Sequence, residues 1–344
     1  MSRTASASYP RAVPTGPTTT RRSVNGVELD VIEAGDPAGP AIVLSHGFPE
    51  CAHSWRHQIE PLAAAGYHVL APDQRGYGRS SAPRDVEAYG IDHLAGDLLG
   101  LLDATGHDDA VFVGHDWGAL LVWDLARLHP DRVRAVVNVS VPYTEWPAPP
   151  TEVFKAASGD RFFYILYFQP VGPAETELDA DVTRTMRTVL WAASGEGYPE
   201  TPVAPLPAEG NGFLDSMSQR GPAPAELPGW LTEADLATYI DSFEASGFFG
   251  PVSWYRNLDG NHARVKDLPP PSMPTWFIGG TKDMVIAARP GYVESMEKRL
   301  PDLRGTVLIE GAGHWTQQEA PEAFNRALLG ALAELDGADA GASG

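Results

Sequence analysis

Along residues 23–143, short aliphatic and β-branched runs alternate with stretches of helical period. Asn25-Gly26 is a type I′ hairpin signal, because both turn positions need positive φ, and it joins a short strand to Val27-Glu-Leu-Asp-Val-Ile. Ala41 to Leu44 reads as a buried strand, Trp55, Ile59 and Leu62 as one helix face, and Tyr67 to Leu70 as the next strand. Ile91 to Leu102 has helical spacing. Val111-Phe-Val then makes a strand, and Leu120, Leu121, Trp123, Leu125 and Leu128 a helix. The strand Val133 to Val139 continues the series. Such alternation needs right-handed crossovers, so the pattern predicts an α/β fold: a mainly parallel sheet, helices on both faces, functional groups at the carboxyl edge.

After Tyr143 the pattern changes. Residues 144–271 are rich in Pro, Gly and aromatics, with helical fragments at Phe162 to Phe168, Val182 to Trp191 and Leu236 to Phe243 and no convincing parallel strand. They predict a helical cap, or lid, inserted over the sheet edge. The alternation resumes in 272–335, with strands at Thr275 to Ile278 and Thr306 to Ile309, a helix from Tyr292 to Leu300 and an amphipathic helix from Ala323 to Leu335. The core is therefore expected from 23–143 together with 272–335. Residues 1–22 and 336–344 have too few large apolar residues to order themselves and read as a disordered and a flexible tail.

Composition narrows the function. A chain of 344 residues, 43% hydrophobic, buries a large core, and a net charge of −20 argues against nucleic-acid or anionic-membrane partners. The single cysteine, Cys51, excludes an intrachain disulfide and suits a reducing cytoplasm. Arg21-Arg22 is not followed by the apolar run of an export signal, and no later run is long enough to span a bilayer. Small-molecule chemistry remains.

The chemistry centres on Val111 to Gly118, V-F-V-G-H-D-W-G. Strand, glycine-flanked turn and helix are the parts of a G-x-S-x-G nucleophile elbow, with Asp116 in the exposed position. A carboxylate at a helix N-terminus stays ionised without a base and can attack an electrophilic sp3 carbon. The alternative is an ordinary helix N-cap. Hydrolysis of an ester on Asp116 would need a water, a histidine to deprotonate it and an acid to orient the histidine. Asp283 follows the strand Trp276-Phe-Ile-Gly-Gly-Thr-Lys, and His314 lies in Gly311-Ala-Gly-His-Trp, giving the chain order nucleophile, acid, histidine. Glu310 is a rival acid that reads better as a surface group. His53 and His57 share a helix face but lack a third ligand, so no metal is expected. The backbone N–H groups of Phe48 and Trp117 are the expected oxyanion donors.

Taken together, His46-Gly-Phe-Pro-Glu, Gly114-His-Asp-Trp-Gly, Phe163-Tyr-Ile-Leu-Tyr-Phe-Gln169, Ser253-Trp-Tyr-Arg-Asn257 and Gly313-His-Trp-Thr-Gln317 resemble the motifs of bacterial soluble epoxide hydrolases of the α/β-hydrolase superfamily. The likeness runs from about Val27 to Leu335. It implies that Tyr164 and Tyr255 hydrogen-bond an epoxide oxygen, that the Phe48–Pro49 bond is cis, and that Phe48, Pro49, Trp117 and Phe168 contact the substrate. Tyr167 reads instead as a cap-filling aromatic. The chain departs from the mammalian members in lacking their N-terminal phosphatase domain, so only the hydrolase half carries over. The implied reaction converts a small apolar epoxide and water to a diol through an ester on Asp116, with no cofactor. A homodimer stays open. A haloalkane or haloacetate dehalogenase would use the same Asp-His-Asp triad, and a non-catalytic receptor would keep the fold alone.

Overall fold

The computed structural model describes residues 16–342 apart from 200, 202, 220, 288 and 290. In chain order the core contributes β1 (Thr18–Val24), β2 (Val27–Ala34), β3 (Ala41–Ser45), α1 (Arg56–Ala64), β4 (His68–Pro72), α2 (Ile91–Thr105), β5 (Ala110–His115), α3 (Trp117–Leu128) and β6 (Val133–Val139). Among the described residues eight helices follow: α4 (Pro150–Ser158), α5 (Tyr164–Tyr167), α6 (Pro173–Asp179), α7 (Val182–Ala192), α8 (Phe213–Ser218), α9 (Glu233–Ser246), α10 (Phe249–Arg256) and α11 (Leu258–Val265). The core then resumes with β7 (Thr275–Gly280), α12 (Met284–Ala287), α13 (Tyr292–Glu297), β8 (Leu303–Ile309), α14 (Thr316–Glu319) and α15 (Pro321–Ala342).

The strands form one sheet in the order β1-β2-β4-β3-β5-β6-β7-β8. β1 and β2 pair antiparallel across the Asn25-Gly26 turn, β2 runs antiparallel to β4, and every later pairing is parallel. β3, β4 and β5 are buried at every position, as strands covered by helices on both faces must be. On one face Leu94, Leu98, Leu121 and Leu125 of α2 and α3 pack against Val43 and Phe112. On the other, Ile59 and Leu62 of α1 with Phe324, Leu328 and Leu332 of α15 cover Val111 and Val137.

Two ends differ from expectation. The first strand begins at Thr18, inside the stretch whose composition reads as a tail, because cross-strand polar pairs hold it: Arg22 forks onto Glu33 at 2.7 and 2.8 Å and Arg21 reaches Asp30 at 2.7 Å. The last helix runs past Leu335, and Asp336 accepts hydrogen bonds from Tyr67 at 2.9 Å and Arg134 at 2.7 Å. In both cases polar pairing orders residues that apolar burial could not. Residues 1–15, 343 and 344 lie outside the described residues.

Between β6 and β7 the described residues contain no strand beyond an isolated bridge, Arg161 to Pro207. The helix expected over Phe162 to Phe168 is one turn, because Phe162 N–H donates to Leu206 O at 2.7 Å and keeps the chain extended as far as Phe163.

Candidate active site

The turn between β5 and α3 puts one side chain at the head of a helix. Asp116 has φ 51° and ψ −114°, a left-handed conformation for a residue other than glycine, which costs on the order of 1–3 kcal/mol and persists only where its surroundings enforce it. They do so here by contact. A Cβ on Gly118 would collide with Ser45 O, and one on Gly114 with Gly118 O, so glycine is required on both sides of the turn. The Asp116 carboxylate meets the β3 loop, where Phe48 N–H donates to Oδ1 at 2.8 Å and the Phe48–Pro49 peptide is cis. The second expected donor, Trp117 N–H, makes no hydrogen bond to this carboxylate among the described residues.

His314, on the loop after β8, bridges two carboxylates. Its Nε2 lies 3.5 Å from Asp116 Oδ2 and its Nδ1 lies 3.1 Å from Asp283 Oδ1, the latter on the loop after β7. Asp283 Oδ1 also accepts the Val285 N–H at 2.8 Å. Burial alone would push the His314 pKa down, but the charges of Asp283 and Asp116 outweigh it and hold the imidazole well above its ordinary value. Burial alone would raise Asp116, and the hydrogen bond and charge of His314 reverse that. Asp283 and Asp116 thus both favour the protonated form of the imidazole. Glu310, the rival acid, is on the exposed surface.

Two phenols close the site from the helical segment. Tyr164 lies on α5 and Tyr255 on α10, ring centroids 5.8 Å apart and edge to face. Tyr255 packs on Trp117 at 4.7 Å, Phe168 at 4.9 Å and Phe48 at 5.5 Å. Tyr164 packs on Phe168 and on Phe213, each at 5.7 Å, and Phe213 is a wall residue that the motifs did not reveal. Burial first, then the charge of Asp116, raises the Tyr164 pKa; burial, Tyr164 and Asp116 raise that of Tyr255. Both therefore stay protonated donors beside the carboxylate. Tyr167 turns away, its hydroxyl donating to Pro173 O at 3.4 Å. Pro49 is buried behind the cis peptide.

A supporting layer escaped sequence reasoning. His115 Nδ1 lies 2.6 Å from Glu50 Oε2 and its Nε2 lies 2.8 Å from His314 O, and a carbonyl can only accept, so Nε2 carries a hydrogen. Gln318 donates to Glu50 Oε1 at 2.8 Å, and Arg56 and Tyr239 donate to Gln318 Oε1 at 2.6 and 2.7 Å. His53 does not stand free as a metal ligand: its Nε2 lies 2.6 Å from Asp235 on α9. Glu50 stands within the His46-Gly-Phe-Pro-Glu motif, which was the available signal. A cavity of about 450 Å³ lies beyond this wall between α3, α11 and residues 143–150; it shares Trp117 with the site and is not lined by Asp116.

A profile of the alpha/beta hydrolase fold matches residues 40–168. Epoxide hydrolase A of Mycobacterium tuberculosis is 47% identical over 323 residues, 93% of this chain and 98% of that protein. The crystal structure of Epoxide Hydrolase A from Mycobacterium thermoresistibile superposes with a TM-score of 0.85 at 45% identity, covering 92% of this chain and 98% of that one. An epoxide hydrolase from an endophytic Streptomyces superposes with a TM-score of 0.86 at 36% identity, over 94% and 97% of the two chains.

Proposed function

Since the chain belongs to the epoxide hydrolases of the α/β-hydrolase fold, we propose that it turns a small apolar epoxide and water into a vicinal diol through a covalent ester on Asp116. The observation that carries this reading is the placement of Asp116 at the head of α3, its Oδ2 3.5 Å from His314 Nε2, beside a paired Tyr164 and Tyr255 whose rings pack against each other, Tyr255 also against Trp117.

In the first half-reaction a carboxylate oxygen of Asp116 attacks an epoxide carbon. The ring C–O bond breaks and its electron pair goes to the epoxide oxygen, which Tyr164 and Tyr255 stabilise by hydrogen bonding and proton donation. Phe48, Trp117, Phe168 and Phe213 present an apolar wall to the rest of the substrate. Esterification removes one of the two anions that hold the His314 proton. The imidazole pKa then falls, His314 gives up its extra proton to restore the phenol that protonated the epoxide oxygen, and neutral His314, oriented by Asp283, takes a proton from water. Hydroxide adds to the Asp116 carbonyl carbon, and the new oxyanion receives Phe48 N–H and, as the carbonyl rehybridises, Trp117 N–H. Collapse breaks the acyl C–O bond, the proton of the added hydroxyl passes to the departing alkoxide, and the diol leaves with the Asp116 carboxylate and the protonated His314 restored. No cofactor enters either step.

Replacing His314 with Gln separates the halves. Asp116 can still attack, but the ester lacks an activated water. Mixed with styrene oxide, His314→Gln should gain one substrate mass on a peptide containing Asp116, while the wild type shows little. An absent adduct in a folded, substrate-binding variant would refute the division of labour, and bromide release from a bromoalkane in preference to diol formation would favour a dehalogenase.

A further inference from the structure

Five residues beyond His314, Glu319 ends α14 with its carboxylate pointed back at the histidine loop. Its Oε1 accepts the Trp315 N–H at 3.0 Å, and its Oε2 accepts the Gly313 N–H at 3.0 Å, so the residues on either side of His314 share one carboxylate. The same Oε2 accepts the Gly195 N–H at 2.8 Å, and Gly195 lies beyond α7 in the helical segment between β6 and β7. The two backbones touch there. A Cβ on Gly195 would collide with Gly311 O, and one on Gly313 with Gly195 N. His314 N–H donates to Ala193 O at 2.9 Å and Trp315 Nε1 to Leu190 O at 2.8 Å, so residues 190–195 and 311–315 form one hydrogen-bonded unit with Glu319 at its centre.

Resting on the reading of His314 as the base that activates water, we propose that Glu319 is a positioning residue for the hydrolytic half-reaction. It ties the turn after α7 to the His314 loop, and so aims the imidazole at the water that attacks the Asp116 ester. The groups assigned to ring opening are held by other contacts. Asp116 is fixed by β5 and Phe48 N–H, and α10, which carries Tyr255, is anchored by the Trp254 Nε1 bond to Arg75 O at 3.2 Å. Loss of Glu319 should therefore separate the two half-reactions.

Glutamine at 319 keeps the shape but turns one acceptor into an NH2 donor facing backbone N–H groups; aspartate keeps the charge with a shorter reach. With styrene oxide, kcat/KM reports ring opening and kcat reports ester hydrolysis when the second step limits turnover. Glu319→Gln should hold kcat/KM within about threefold of wild type while kcat and KM fall together by about tenfold to a hundredfold, the range that a misplacement near 1 Å produces. Quenched samples should show the alkyl-enzyme accumulating by intact mass, and Glu319→Asp should recover part of kcat. Equal losses in kcat and kcat/KM with no accumulated ester, or unchanged kinetics, would overturn the proposal. If Glu319→Gln loses its near-UV circular dichroism, Glu319→Asp carries the test: a lowered kcat at constant kcat/KM supports the role, and any other pattern overturns it. His314→Gln run alongside tells the failures apart, since an adduct there but none in a folded Glu319→Gln refutes only the positioning role.

Discussion

In the proposed mechanism a single oxygen pair at Asp116 has to be nucleophile, counter-ion and, later, acyl group, and the charge on His314 follows its state. Asp116→Ala removes one of the two anions beside His314, so the imidazole pKa should fall while the fold persists, because an elbow side chain does little packing. NMR titration of the His314 ring reads this directly, and an unchanged pKa would contradict the coupling used in the mechanism. The variant should form no diol. The phenols are tested by removing one oxygen each. Tyr164→Phe and Tyr255→Phe leave the rings packed, so Tm should hardly move, while ring opening slows by roughly tenfold to a thousandfold per lost donor, and the double variant should be nearly inactive. Full alkylation by the double variant would remove both tyrosines from the reaction.

At the scale of elements, α9 is held against the start of α1 by Asp235, which receives His53 at 2.6 Å and Arg56 at 3.0 Å and caps its own helix through Thr232. Burial would raise the Asp235 pKa, but the bonds from Thr232 and His53 and the charge of Arg56 bring it to about 2. A depressed carboxylate contributes stability above its unfolded pKa, about 3.9, and loses it as pH falls through the folded value. Asp235→Ala should therefore lower Tm at about pH 7 and much less at and below about pH 2, and an equal deficit at both would show that lost packing, not ionic pairing, is responsible. This latch was invisible in the sequence for a definite reason. Its partners are separated by 182 residues, as Gly195 and Glu319 are by 124, and no spacing rule spans such distances. The sheet was legible because β-branched runs and glycine turns encode it locally, and Asp116, Asp283 and His314 because each follows a strand. The segment between β6 and β7 was harder: α4 and α6 start on Pro150 and Pro173, where proline opens a helix rather than breaking one.

The whole molecule carries 45 acidic against 25 Lys and Arg residues, a net charge of −20, while the proposed substrate is neutral. These facts separate stability from catalysis. Like charges distributed over one compact surface repel more than in the expanded unfolded chain, so the excess opposes folding. Added salt shortens the screening length from about 30 Å at 0.01 M to about 8 Å at 0.15 M, which suppresses this long-range repulsion more than the contact pairs such as Arg75 with Asp97 at 2.6 Å. Tm at about pH 8 should thus rise between those two salt concentrations, and the gain should shrink toward about pH 5, where histidines gain charge and carboxylates begin to lose it. A neutral epoxide gains no electrostatic steering, so kcat/KM measured at a temperature well below Tm should stay level across the same salt range. A steep fall of kcat/KM with salt would mean that the surface field attracts the true substrate, which would then have to be a cation.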